Sequence, residues 1–189
     1  MKSIYETERL VLKVLDESDT GKVLDYVTRN KDYFKEFEPE RADEFYTVEF
    51  QSNELRTDLN YIKGRSMLKL WIFNKDNIDK VIGYVTFYNI VPYAFLSCHI
   101  GYKSDKEMVN KGIITEAVIK GVKIMFEEYR MHRVEAHVME NNKPSIRVLE
   151  KIGFLNEGIA HKFLEVNGEW EDHLHYSLID EDYYTRYIN

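Results

Sequence analysis

A chain of 189 residues, 44% of them hydrophobic and 14% aromatic with only three prolines, has apolar material for one sizeable core and too little for two. Its formal charge of −7 argues against a nucleic-acid surface and suits a cationic substrate or a basic protein partner. There is no run of about eighteen uncharged apolar residues and no apolar stretch in MKSIYETERL at the start, so neither a membrane span nor a signal peptide is expected and the cytoplasm is the expected compartment.

Residues 9–15 (RLVLKVL) alternate as a first strand. Ser18 or Asp19 can cap a helix running to about Asn30 with Val23, Leu24 and Val27 inward. The segment 33–43 (YFKEFEPERAD) is aromatic and acidic and reads as a loop or short helical turn. A second helix is expected over 47–63, its buried stripe formed by Val48, Leu55, Leu59 and Ile62. Three β-rich runs follow at 67–73, 80–90 and 95–102, the middle one apolar or aromatic on both faces and therefore central. Cys98, the lone cysteine, falls within the last of them and reads as a packing residue; it excludes an internal disulfide and any multi-cysteine metal site.

Residues 108–126 (MVNKGIITEAVIKGVKIMF) organise what comes next. Ile114, Ala117, Val118, Gly121, Val122, Met125 and Phe126 recur at the three-one spacing of a helix with one buried face. Asn110, Lys111 and Gly112 stand at its start, where exposed backbone N–H groups and the helix dipole favour an anion such as a phosphate. A Gly before a buried helix is also ordinary turn chemistry. A fifth strand around 134–138, a helix over 144–152 with Pro144 in its first turn, and a closing αL residue at Gly153 come after it. The tail reads as a hairpin, 154–166 and 169–178, turning at Asn167-Gly168. With no repeat or linker, 1–189 is expected to be a single α+β domain with a mixed, mostly antiparallel central sheet flanked by helices.

The order of these motifs resembles the GNAT N-acetyltransferases, in particular their ribosomal-protein-alanine acetyltransferase (RimJ/RimL-like) branch. The shared series is the helix-start loop at Gly112, Asn142-x-x-Ser145, Gly153-Phe154, and the Asn167-Gly168, Trp170-x-Asp172 hairpin, spanning about 8–179. The resemblance implies a sheet with a gap between its fourth and fifth strands and acetyl-coenzyme A as co-substrate. The backbone of Ile100 and Tyr102 would hold the pantetheine arm. The amides of Asn110, Lys111, Gly112, Ile113 and Ile114 would hold the pyrophosphate. Two positions depart from the family pattern: Val109 stands where Arg or Gln is usual, and Ile114 where Gly or Ala is usual. Ser145 matches the family serine that stands by the cofactor sulfur and would protonate the leaving thiolate, and Asn142 would orient the arm or a water; a helix N-cap is the alternative reading, since Ser or Asn beside Pro144 is cap chemistry.

Acetyl transfer also needs a neutral amine and a proton acceptor. Glu165 is the first candidate base, with Glu135, Glu38 and Glu40 as others; surface carboxylates are common without such a role. Phe37, Glu38 and Glu40 are expected to meet the acceptor, with Tyr33 and Phe34 beside them lining a groove or simply packing. His173 and His175 share a strand face, which suits a metal less than it suits an ordinary half-exposed face, so no metal is expected. The expected activity is direct acetyl transfer to a primary amine, with a protein or peptide N-terminus as acceptor. Alternatives are a small amine such as a polyamine or aminoglycoside, a non-catalytic acyl-coenzyme A-binding module, or an interaction protein with neither property. The chain is expected as a monomer or homodimer, without membrane or direct nucleic-acid contact.

Overall fold

The computed structural model describes residues 2–35 and 39–187. Strands β1 (Ile4–Glu6), β2 (Leu10–Lys13), β3 (Leu68–Asn74), β4 (Asn77–Val91), β5 (Ser97–Ser104), β6 (Arg133–Met139), β7 (Leu155–Val166) and β8 (Glu169–Ile179) form one sheet in the order β1-β2-β3-β4-β5-β6-β8-β7. Every neighbouring pair is antiparallel except β5 and β6. The unanticipated β1 shifts the count, so the expected fourth and fifth strands are β5 and β6. At three residues with only Tyr5 buried, β1 is too short to show a period.

Alternation splits the sheet into two faces. Leu10 and Leu12 of β2, Leu68, Leu70 and Ile72 of β3, and Cys98 and Ile100 of β5 pack in one cluster with helix α4 (Ile113–Glu127). Val11, Trp71 and Phe73 pack on the other side against α1 (Thr20–Arg29) and α3 (Val48–Lys63). Helix α4 approaches closely because Gly121 has no side chain; a Cβ there would lie 2.7 Å from the Phe87 ring. Cys98 is fully buried, and burial with the nearby Glu135 charge pushes its thiol up to about 12. It is expected to stay silent toward a colorimetric thiol reagent until denaturant is added, so it will not confuse an assay that counts released thiol.

Local expectations mostly hold, with corrections that have physical reasons. Asp19 holds the N-cap position of the first helix as expected but makes no side-chain cap bond; a 3-10 turn, Glu17–Asp19, precedes the helix and is capped by Asp16, which accepts from Ser18 N at 2.9 Å. The short helix α2 (Lys31–Phe34) opens the acidic segment. In α3, Val48 is 61% exposed because it is the first helical residue; Gln51 takes its place on the stripe, donating to Phe45 O at 2.6 Å. Helix α5 (Lys143–Ile152) ends at Gly153 with φ 101°. The hairpin turn has φ 52° at Asn167 and 88° at Gly168, the pair of positive values that a two-residue turn between twisted strands requires. A short helix, α6 (Tyr183–Tyr187), closes the described chain. No helix of the described residues is long and apolar enough to cross a membrane.

Candidate active site

Parallel pairing between β5 and β6 runs only through Ser97↔Arg133, Cys98↔Val134 and His99↔Glu135. Beyond that point β5 stays bonded to β4 as far as Ser104, and β6 to β8 as far as Met139. The two strands therefore part company, and the backbone edge of β5 from 100 to 104 has no β6 partner. A cavity of about 430 Å³ opens beside that edge, lined by Tyr102, the loop before α4, the start of α5, and Tyr33 and Phe34 of α2.

The loop before α4 is built to leave amides open. Asn110 and Gly112 both take positive φ, 62° and 74°. The N-cap Gly112 has no side chain to cap the helix, and the first ladder bond is Glu116 N to Gly112 O at 3.1 Å. The N–H groups of Ile113, Ile114 and Thr115 thus have no partner among the described residues, at the positive end of the helix dipole. Two buried or half-buried carboxylates hold this loop in shape. Asp105 accepts from Arg29 Nε at 2.8 Å, Asn30 Nδ2 at 3.3 Å and Glu107 N at 2.9 Å. Burial would raise its carboxyl, but these bonds outweigh burial and hold it below the usual carboxylate range. Glu116 accepts from Thr7 Oγ1 at 2.6 Å, Arg9 N at 2.9 Å and Arg9 Nε at 2.7 Å. Arg9 in turn donates to Lys111 O at 3.1 Å.

Ile114, the bulky departure, does not plug the mouth. Its Cδ1 reaches toward Gly83 of β4, 3.5 Å from where a Cβ would stand, and packs on the core. Gly83 is itself required by close approach, since a Cβ would lie 2.6 Å from Lys103 O. Lys111 lies outside the cavity lining; Lys103, Arg147 and Lys151 are the cations on its wall.

Asn142 is the N-cap of α5, accepting from Ser145 N at 3.2 Å. Ser145 is therefore not the cap, and its hydroxyl is available: Oγ lies 2.8 Å from Tyr102 Oη, which also donates to Ser145 O at 3.3 Å. Burial pushes the Tyr102 hydroxyl up to about 12 against the lowering effect of Ser145, so it keeps its proton at neutral pH. Side chains of opposite cavity walls thus meet at a pair of hydroxyls able to give up a proton.

Residues 9–155 match the acetyltransferase (GNAT) domain family. The chain belongs to the GNAT acetyltransferases. This acetyltransferase is 38% identical over 181 residues to the probable N-acetyltransferase YjcK of Bacillus subtilis (strain 168), covering 96% of both chains. It is similar to the crystal structure of ribosomal-protein-S5-alanine acetyltransferase from Vibrio fischeri, with a TM-score of 0.90 and 32% identity over 96% of this chain and 99% of that one. It also resembles Mycobacterium smegmatis RimJ in complex with CoA-disulfide, with a TM-score of 0.85 and 25% identity, covering 95% of this chain and 88% of that one.

Against this acetyltransferase fold the expected site residues divide. Tyr102, Asn110, Gly112, Ile113, Ile114, Asn142 and Ser145 all line the cavity. Ile100 contributes its side chain to the core and lies on the unpaired edge by backbone only. Glu165 is not brought to the cavity: it is exposed near the hairpin turn, opposite Trp170. Glu135 is engaged by Arg133 and His175; burial would raise it, but those partners hold it low. Glu40 touches the hairpin, its N–H donating to Asn167 Oδ1 at 3.0 Å, and its carboxylate pairs with Lys35 at 3.1 Å. Phe37 and Glu38 lie outside the described residues. Sequence reasoning missed the Tyr102 hydroxyl, Asp105 and Arg9. His173 is 5% exposed, more enclosed than a half-exposed face implies, because Phe163 of β7 folds over it. No group of three His, Cys, Asp or Glu among the described residues is arranged to hold a metal.

Proposed function

We propose that this acetyltransferase moves the acetyl group of acetyl-coenzyme A to the N-terminal α-amine of a protein by direct attack in a ternary complex. The observation that carries the reading is the combination of the β5/β6 parting with an uncapped row of amides from 113 to 115 at its rim. A diphosphate suits those amides, and Arg147 and Lys151 add positive charge along the same wall. Asn110, Gly112 and Ile114 would frame the phosphates, with Asn142 and Ser145 beside the arm. When bound, the co-substrate supplies an activated thioester; the chain supplies orientation and a proton for the departing sulfur from the Tyr102 and Ser145 pair.

An α-amine is the favoured acceptor on chemical grounds, since its reference pKa of about 7.7–8.0 leaves far more of it neutral than a lysine at about 10.4. The Vibrio fischeri relative's named activity on a ribosomal protein alanine agrees with this. The net charge of −7 favours a basic partner such as a ribosomal protein. Residues 1–189 act as one catalytic domain in the cytoplasm under this reading, with Tyr33, Phe34, Phe37, Glu38 and Glu40 on the acceptor side. The test is thiol release from acetyl-coenzyme A against ribosomal N-terminal peptides, lysine-containing peptides with blocked N-termini, and small amines including polyamines and aminoglycosides. The α-amine peptides are expected to turn over fastest. Preference for a small amine overturns the acceptor, and tight cofactor binding without turnover on any amine overturns the activity.

A further inference from the structure

The face of the sheet turned away from α4 carries imidazoles from three adjacent strands where β5 and β6 begin to part. His99 of β5 lies edge-on to His137 of β6, with ring centroids 5.2 Å apart. His137 is sandwiched between Phe163 of β7 at 4.2 Å and His175 of β8 at 4.5 Å, both nearly parallel to it. The rings of His99, His173 and His175 are hydrogen-bonded to Asn89, Glu171 O and Glu135 respectively. Among the described residues no hydrogen bond reaches His137.

Register places that ring. The last bridge between the strands is His99↔Glu135, so two residues further Gly101 and His137 stand at the same level on the same face, across the opening. Lys103, the next residue of that face, leans over Phe34. Gly101 has no side chain to cover the opening between His99 and Lys103. Tyr102 and Ser145 meet on the α4 and α5 side of the same opening. His137 does not itself line the cavity that holds Tyr102 and Ser145; it stands on the opposite face of the opening, so an amine arriving over Gly101 from that face would have the His137 imidazole beside it, the thioester ahead and the sulfur's proton source beyond.

We propose that His137 is the proton acceptor for the incoming amine. This rests on the acetyl-transfer reading above and adds the base that reading lacks. The nitrogen lone pair forms the new C–N bond at the thioester carbonyl carbon as the C=O π pair moves onto oxygen, and the N–H proton passes to His137. The pair on oxygen then returns to re-form C=O and the C–S bond breaks, its electrons going to sulfur, which takes a proton from the Tyr102 and Ser145 pair; solvent resets both groups. Burial first, then the neighbouring His175 and His99, push His137 down to about 4, with Glu135 opposing and His173 adding to the depression. The ring is therefore neutral and free to accept at pH 7. A weak base suffices, because the N–H becomes strongly acidic as the C–N bond forms. The His175–Glu135 contact at 2.7 Å places negative charge behind the stack to steady the cation that results.

Three variants of the full chain test this with the best acceptor from the amine panel. His137→Gln retains bulk and polarity without basicity, and its kcat is expected to fall about 10²-fold, with acceptor KM and coenzyme A affinity by calorimetry little changed. His137→Ala leaves a slot between Phe163 and His175, and added imidazole is expected to restore its turnover in proportion to the neutral form. A residue needed only for packing would show no such rescue. Gly101→Val introduces a Cβ that meets Thr86 and Tyr88 at ordinary contact distances of 3.5 and 3.7 Å; with a melt matching the unmodified chain as its control for folding, its acceptor KM should rise at least about tenfold by obstructing the opening. The proposal is overturned by a His137→Gln kcat within threefold of the unmodified chain, by a loss confined to KM, by absent imidazole rescue, or by an unchanged KM in Gly101→Val. An unmodified chain that binds coenzyme A and acetylates nothing overturns the acetyl-transfer reading and takes this inference with it. Turnover within threefold of the unmodified chain in both His137 variants overturns the inference alone.

Discussion

Gly112→Asp is expected to weaken coenzyme A binding by about 10²–10³-fold while the fold survives, read by calorimetry alongside a thermal melt. A carboxylate placed about 4–5 Å from a diphosphate on this exposed loop costs about 3–4 kcal/mol per charge pair at the effective dielectric near 20 of a protein surface, and each 1.4 kcal/mol is about tenfold in affinity. The conformational part is smaller and falls on the fold instead. Gly112 sits at φ 74°, where aspartate loses roughly 1 kcal/mol, a change of about 2–4 °C in Tm for a chain of this size. Space is not the obstacle, since among the described residues Arg9 Nη2, 3.5 Å away, is the one neighbour a new Cβ would touch, and it is a cation. Gly112→Asn separates the two effects: it should melt like Gly112→Asp and bind within about tenfold of the unmodified chain. Equal losses of affinity in both variants would mean that crowding, not charge, governs the loop.

How far such a site can be read from sequence depends on whether its cause is local. The start of α5 was legible because Asn142, Pro144 and Ser145 act on their own backbone, and the hairpin because Asn167 and Gly168 alone can take the paired positive φ values. The buried stripe of α4 was legible from spacing. The parting of β5 from β6 was not: residues 97–104 look like any strand, and only the family resemblance supplied the gap. Asp105 and Arg29 are 76 residues apart and each reads as a loop or surface charge until the fold makes them partners. Tyr102 is one of fourteen tyrosines, and nothing near it in the chain announces Ser145, 43 residues on. Glu165 is the converse case: its place in the hairpin is a local property, but its separation from the cavity is a tertiary fact. The imidazole group combines both cases, since alternation put His173 and His175 on one face, whereas the pairing of His137 with His175 depends on a β6/β8 register that no local signal fixes.

Tyr102→Phe and Ser145→Ala are each expected to lower kcat by about 10²–10³-fold, within the range for a lost proton donor, with coenzyme A affinity within about threefold of the unmodified chain. The departing thiolate needs one proton, and the structure offers two hydroxyls 2.8 Å apart that can pass it between them. Tyr102 is held protonated by burial, and Ser145 is the group that eases its ionisation by hydrogen bonding to the oxygen. Removing Ser145 therefore leaves a tyrosine that gives up its proton less readily, while removing the Tyr102 hydroxyl leaves a serine without its partner. Either change disables the same step, so the double variant should be no slower than the slower single one, a non-additivity expected of groups that act as a unit. Full additivity, about 10⁴–10⁶-fold in the double variant, would instead make them independent contributors. Loss of acceptor affinity with kcat intact would reduce both residues to wall of the cavity, and the thiolate would have to draw its proton from solvent.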